Sequence, residues 1–147
     1  MFLIASVIAA LALTNAVLPA MGKSASALVS ANKSAAERIK TDIAIVHATG
    51  DAANDQVTVW VKNIGTQSIK QIDASDVFLT TPSSVLRLPY VSSCASECWD
   101  YSIEGGGAAW IQAVTVKFTI KTSVDTGNYN VSVAVANAVR ADKDFSV

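Results

Sequence analysis

Two kinds of apolar spacing divide the chain. Residues 1–22 are apolar almost without interruption, and the first charge is Lys23. About 20 predominantly apolar residues suffice to cross a bilayer as a helix. In lipid every backbone polar group must be satisfied internally, so the run is expected to be helical. Thr14 and Asn15 are tolerable there because their side chains can hydrogen-bond within or between helices. Pro19 removes one backbone donor near the end. Residues 21–40 are rich in Ala and long unbranched side chains and contain no proline, which favours helix. Met21, Ala25, Leu28, Asn32, Ala35 and Ile39 recur in steps of four and three, the spacing of a helix lying along another helix. Lys23, Ser26, Ser30, Lys33, Glu37 and Lys40 occupy the opposite side. A single helix over 1–40 would be about 60 Å long at roughly 1.5 Å per residue. That is about twice the roughly 30 Å hydrocarbon core.

At Thr41 the period changes to two. Val57, Val59 and Val61 alternate with Thr58, Trp60 and Lys62. Val114, Val116, Phe118 and Ile120 alternate with polar residues, and Tyr129, Val131, Val133 and Val135 alternate with Asn130, Ser132 and Ala134. These are strands with one buried and one wetter face. Shorter strands are expected at 42–48, 72–80, 85–91, 97–103 and 143–147. Turn signals lie at 50–55, 63–65, 81–84, 105–107 and 125–128. Seven or eight short strands without intervening helices predict an antiparallel immunoglobulin-like sandwich. The expected organisation is a long hydrophobic helix over 1–40 followed by an all-β domain over 41–147.

Composition narrows the function. Of 147 residues, 51% are hydrophobic and 16% charged, which argues against disorder. Eleven Lys and Arg against twelve Asp and Glu leave a net charge of −1, unlike a nucleic-acid binder. One His and two Cys are a poor ligand set for a metal. No cofactor is expected.

The residues that could carry chemistry are few. His47 ends a predicted strand and reads as a surface histidine. Asp51 with Asp55, and Asp73 with Asp76, are close enough to share a cation, but calcium needs six to eight oxygen ligands. They read instead as turn residues. Gly105–Gly107 lacks the Lys-Ser/Thr of a phosphate loop and reads as a flexible hairpin connection. Cys94 and Cys98 lack the second ligand pair of a structural zinc site. Outside the cell they are expected to form a disulfide; inside it they would be free thiols. Two N-x-S sequons, at Asn32 and Asn130, fit an extracellular surface. Asn130, on the wetter side of its strand, is expected to be the better acceptor, since a glycan on Asn32 would block its heptad position.

Three readings fit the apolar run: a cleaved signal, a permanent single-span anchor, or a pilin-like helix that packs against copies of itself. A cleaved signal wants a basic region before the run and a small-residue cleavage site after it. No Lys or Arg precedes position 23, so the anchor is favoured, alone or combined with assembly. Small residues from Ala5 to Ala36, Ala9 and Ala16 among them, would let neighbouring helices approach closely.

Specific stretches point to a family. MFLIASVIAALAL, AAERIKTDIAIVHATG and VTVWVKNIGTQSI resemble the archaellum accessory protein G family, whose relatives include archaellins and the F-type accessory subunit. The IKTDI junction and the strand end VKNIG carry most of the likeness. The resemblance implies a non-enzymatic motility subunit in the cell membrane, with the sandwich outside. Implied partners are copies of itself through the helix, the F-type subunit, archaellin, the motor membrane protein and the surface layer. No basic residue followed by Gly precedes the apolar run, so no prepilin-peptidase site is expected within these residues. The run also lacks the early Glu of bacterial pilins, so a bacterial-type assembly register is not expected. A membrane-anchored sandwich that binds a surface ligand is the alternative.

Overall fold

The computed structural model describes residues 2–147, apart from the side chains of Phe2, Leu3 and Ala16. The chain divides into a helical unit ending at Ala36 and a β unit, Glu37–Val147. Helix α1 runs over Phe2–Lys40, with Pro19 inside it. Its described side chains are exposed almost throughout, including Ile8, Leu11, Met21 and Leu28. Thr14 Oγ1 donates to Ala10 O at 2.8 Å and Ser26 Oγ to Gly22 O at 2.9 Å, so both hydroxyls are satisfied within the helix.

The β unit consists of β1 (Ile43–Asp51), β2 (Gln56–Asn63), β3 (Asp76–Thr80), β4 (Val85–Leu88), β5 (Cys98–Ile103), β6 (Thr115–Lys121), β7 (Asn128–Val135) and β8 (Val139–Ser146). One antiparallel sheet has the order β1-β2-β6-β5 and the other β4-β3-β7-β8. An immunoglobulin constant-type sandwich places strands A, B, E and D in one sheet and C, F and G in the other. Lettering β1, β2, β3, β5, β6, β7 and β8 from A to G reproduces both sheets, with β4 as an extra strand beside C. A tyrosine corner accompanies the topology. The Tyr129 hydroxyl, near the start of β7, donates to Asp125 O and accepts from Asp125 N, each at 3.0 Å.

The alternating residues meet between the sheets. Val57, Val59, Val61, Val77, Leu79, Val116, Phe118, Ile120, Val131 and Val133 are wholly buried, with Trp99 and Trp110. Phe118 lies 5.2 Å from Trp99 and 5.9 Å from Trp110, ring centre to ring centre. Offset aromatic contacts of this kind add about 0.5–1.5 kcal/mol beyond the area they bury.

The strands differ from the sequence pattern at their ends. Residues 72–75 form a turn in which Ser75 N donates to Ile72 O, so β3 begins only at Asp76. β4 stops before Pro89, which has no N–H to continue a ladder. The chain then crosses to the other sheet, where Tyr90 pairs with Trp99 in parallel. β8 is longer than expected because Arg140, Asp142 and Asp144 alternate outward and obscure its apolar period. β1 continues through Gly50, where a Cβ would lie 2.2 Å from the Val147 side chain, so the C-terminus closes over a strand rather than a turn.

Candidate assembly site at the helix-to-sandwich junction

The two stretches that carry the family likeness meet in space. The last turn of α1, from Glu37, belongs to the β unit. Four carbonyls at a helix C-terminus have no partner within the helix. Here the loop after β2 supplies donors. Thr66 N and Gln67 N both donate to Lys40 O, at 2.8 and 3.0 Å. Ile64 N and Gly65 N both donate to Asp42 O at 3.0 Å. Thr41, itself buried, donates from Oγ1 to Glu37 O at 2.8 Å. Asn137 Nδ2 reaches the same hydroxyl at 3.4 Å from the turn between β7 and β8.

Asn63 organises this loop. The sequence marks it as a turn residue, but it is the last residue of β2 and wholly buried. Its amide nitrogen donates to Gln67 O at 2.8 Å and to Trp110 O at 3.0 Å. Its amide oxygen accepts from Gly65 N at 3.0 Å. Its backbone binds the loop before β6, with Asn63 N donating to Val114 O and Ala113 N to Asn63 O. One side chain thereby ties the loop that caps the helix to the loop that enters β6. A signal for this role was present: 57, 59, 61 and 63 all fall on the inward face of β2. Gly65 fits the same place for a steric reason. A Cβ there would lie 2.4 Å from both Lys40 O and Asp42 N.

The other candidate residues are spread over the molecule. Cys94 and Cys98 are joined across the loop that leads into β5, with Cα atoms 5.7 Å apart. His47 lies on the outer face of β1 and meets Trp60, its cross-strand partner, in a tilted ring contact with centres 5.3 Å apart. A bulge between Ile45 and His47 turns Val46 outward beside it. Asp51 caps the β1–β2 turn. It accepts from Asn54 Nδ2 at 2.7 Å and from Ala53 N at 3.0 Å, and the Asn54 amide foremost holds its carboxyl below the usual range. Asp55 accepts from Val124 N. Asp76 pairs with Arg87 rather than with Asp73. Among the described residues no three His, Cys, Asp or Glu side chains are grouped to hold a metal ion. Gly105 and Gly106 both have left-handed φ in a short 3₁₀ turn between β5 and β6. Asn130 lies in β7 and donates to Asp144 Oδ1 at 2.7 Å, whereas Asn32 is exposed on α1. Ala9 is exposed on α1; the Ala16 side chain lies outside the described residues.

No protein-family model matches the chain. It is 30% identical over 152 residues to an uncharacterized protein from Archaeoglobus fulgidus, covering 98% of this chain and 93% of that one. The archaellum periplasmic stator protein FlaG from Sulfolobus acidocaldarius superposes with a TM-score of 0.60 at 18% identity, over 71% of this chain and 99% of FlaG. The stator complex of FlaF and FlaG from the same organism gives 0.59 at 19%, over 71% and 89%. Archaeal flagellin FlaB1 from Methanocaldococcus jannaschii gives 0.60 at 10%, over 73% and 90%. The three solved structures are named as archaellum stator proteins or archaeal flagellin, and what they share with this chain is the fold. The chain therefore belongs to the family of the Archaeoglobus fulgidus protein, and its fold is that of FlaG and archaeal flagellin.

Proposed function

We propose that this protein is a structural, non-enzymatic subunit of an archaellum. It is held in the cell membrane by its N-terminal helix, with the β unit outside. The observation that carries this reading is the junction. Lys40 O and Asp42 O accept hydrogen bonds from the loop after Asn63, and the Thr41 hydroxyl accepts from Asn137, so the last turn of the helix is bonded into the β unit. A subunit that bears load between membrane and filament needs such a connection. The charge-free run before Lys23 fits an anchor, and the Cys94–Cys98 bond fits an oxidising compartment outside the membrane. The likeness to a stator protein and to a FlaF–FlaG complex makes an F-type subunit the first partner to test, then archaellin, the motor membrane protein and the surface layer.

An archaellin-like filament subunit is the second reading, because flagellin FlaB1 superposes as well as FlaG does. A surface-binding module on a simple tether is the third. Self-association through the helix separates them. In cells carrying Ala9→Leu/Ala16→Leu, bulk on one helix face should leave insertion and the β unit intact. Crosslinked oligomers and swimming should both be lost. Normal swimming with undiminished crosslinking would overturn assembly through this face and favour the tether.

A further inference from the structure

We propose that Asn32, and not Asn130, is the site of N-linked glycosylation. The inference rests on the β unit and stalk lying outside the membrane. The two sequons have the same chemistry but opposite environments. Asn130 is in β7, a central strand of its sheet, paired with Thr80 of β3 and Asp144 of β8. Its side-chain nitrogen, the atom that would be glycosylated, already donates to Asp144 Oδ1. Val131 between them is wholly buried, and the Ser132 residue that completes the sequon is 3% exposed. An enzyme could reach this sequon only after the sandwich opened, which costs most of the stability of the fold.

Asn32, Lys33 and Ser34 are all exposed. They lie in the part of α1 that follows the charge-free run and precedes the β unit. These three residues are exposed, whereas Val131 and Ser132 are buried, so this turn opens locally at smaller cost than β7 does. The sequon can then take the extended or turned backbone that a transferase must grip. In the transfer, a C–N bond forms between Asn32 Nδ2 and the anomeric carbon of a sugar carried as a lipid phosphate. The C–O bond to that phosphate breaks, the phosphate leaves with the electron pair, and the amide nitrogen loses one proton. Nothing is oxidised or reduced.

The position has a consequence. Asn32 belongs to the stripe Met21, Ala25, Leu28, Asn32, Ala35 and Ile39. A glycan there prevents close helix contact along the stalk, while residues 1–22 remain free to associate in the membrane. Modified copies therefore act as anchors and unmodified copies can pack along the whole helix.

The test uses full-length protein taken from its native cells. Intact mass spectrometry should show added saccharide mass on the wild type and on Asn130→Gln, and none on Asn32→Gln or Ser34→Ala. Crosslinking through stalk positions should rise several-fold in Asn32→Gln. Unmodified wild-type protein, or a mass lost only in Asn130→Gln, overturns the proposal. Labelling of intact cells with a membrane-impermeant amine reagent reports separately whether the β unit faces outward. Labelled but unglycosylated protein refutes the glycan alone; unlabelled protein refutes the topology on which it rests.

Discussion

Removing the Asn63 amide tests the junction most directly. Asn63→Ala deletes three hydrogen bonds at 2.8, 3.0 and 3.0 Å from a wholly buried site. Two of the abandoned partners keep a second bond: Gly65 N still donates to Asp42 O, and Trp110 O still accepts from Ile69 N. The loss is therefore below the full penalty for three orphaned groups. At about 1 kcal/mol net per bond it comes to roughly 3 kcal/mol. For a domain of this size that corresponds to a fall in melting temperature of about 12 °C, at roughly 4 °C per kcal/mol. Asn63→Asp should be at least as damaging. A carboxylate can accept from Gly65 N, but it offers no donor to Gln67 O or Trp110 O and brings a buried charge against them. Ile64→Ala, next door and 49% exposed, should stay within about 0.5 kcal/mol of wild type. Thermal unfolding followed by tryptophan fluorescence gives the magnitude. Hydrogen exchange locates it, because the Thr66 and Gln67 amides bonded to Lys40 O should lose protection first. An Asn63→Ala protein within about 0.5 kcal/mol of wild type, or an aspartate milder than alanine, would refute the latch.

Gly65→Ala should cost about 3 kcal/mol or more, since the added methyl meets backbone on two sides rather than a movable side chain; a melt within a few degrees of wild type, by about the same conversion, would contradict it. Replacing both Cys94 and Cys98 by serine should cost about 2 kcal/mol or less, because the bond closes a loop with a sequence separation of only 4; denaturant titration with and without reductant measures it. Acid should weaken the β unit through Asp142, whose carboxyl is held below its ordinary range first by the Arg140 side chain 2.7 Å away. A lowered folded value means the contribution is present above about pH 4 and is lost as pH falls further. The melting difference between wild type and Asp142→Asn should therefore shrink below that pH, and it should shrink with salt too, because Asp142 is 44% exposed. A difference independent of pH would refute the assignment.

The hydrophobic pattern alone determined the class of fold. A long charge-free run favours helix and alternating valines favour strand, so the helix and the central residues of β2, β6 and β7 were legible, while the end of β2 at Asn63 read as a turn. Where alternation was masked by charge, as in β8, or ended at a proline, as in β4, only the boundaries slipped. The IKTDI and VKNIG stretches were also visible as the distinctive pieces of the chain. What sequence could not supply was that they touch. Residues 40–42 and 63–67 come together because β1 pairs antiparallel with β2, Ile43 opposite Asn63, which brings the start of one strand to the end of the other. That register buries Asn63 and turns a residue suited to a loop into the tie between two loops. The same is true of the two sequons. Period two placed Asn130 on the wetter side of its strand, but pairing on both flanks put its amide on Asp144 and its serine under cover. Local composition sets which conformation each segment prefers; which polar groups remain free depends on the neighbours that tertiary pairing brings.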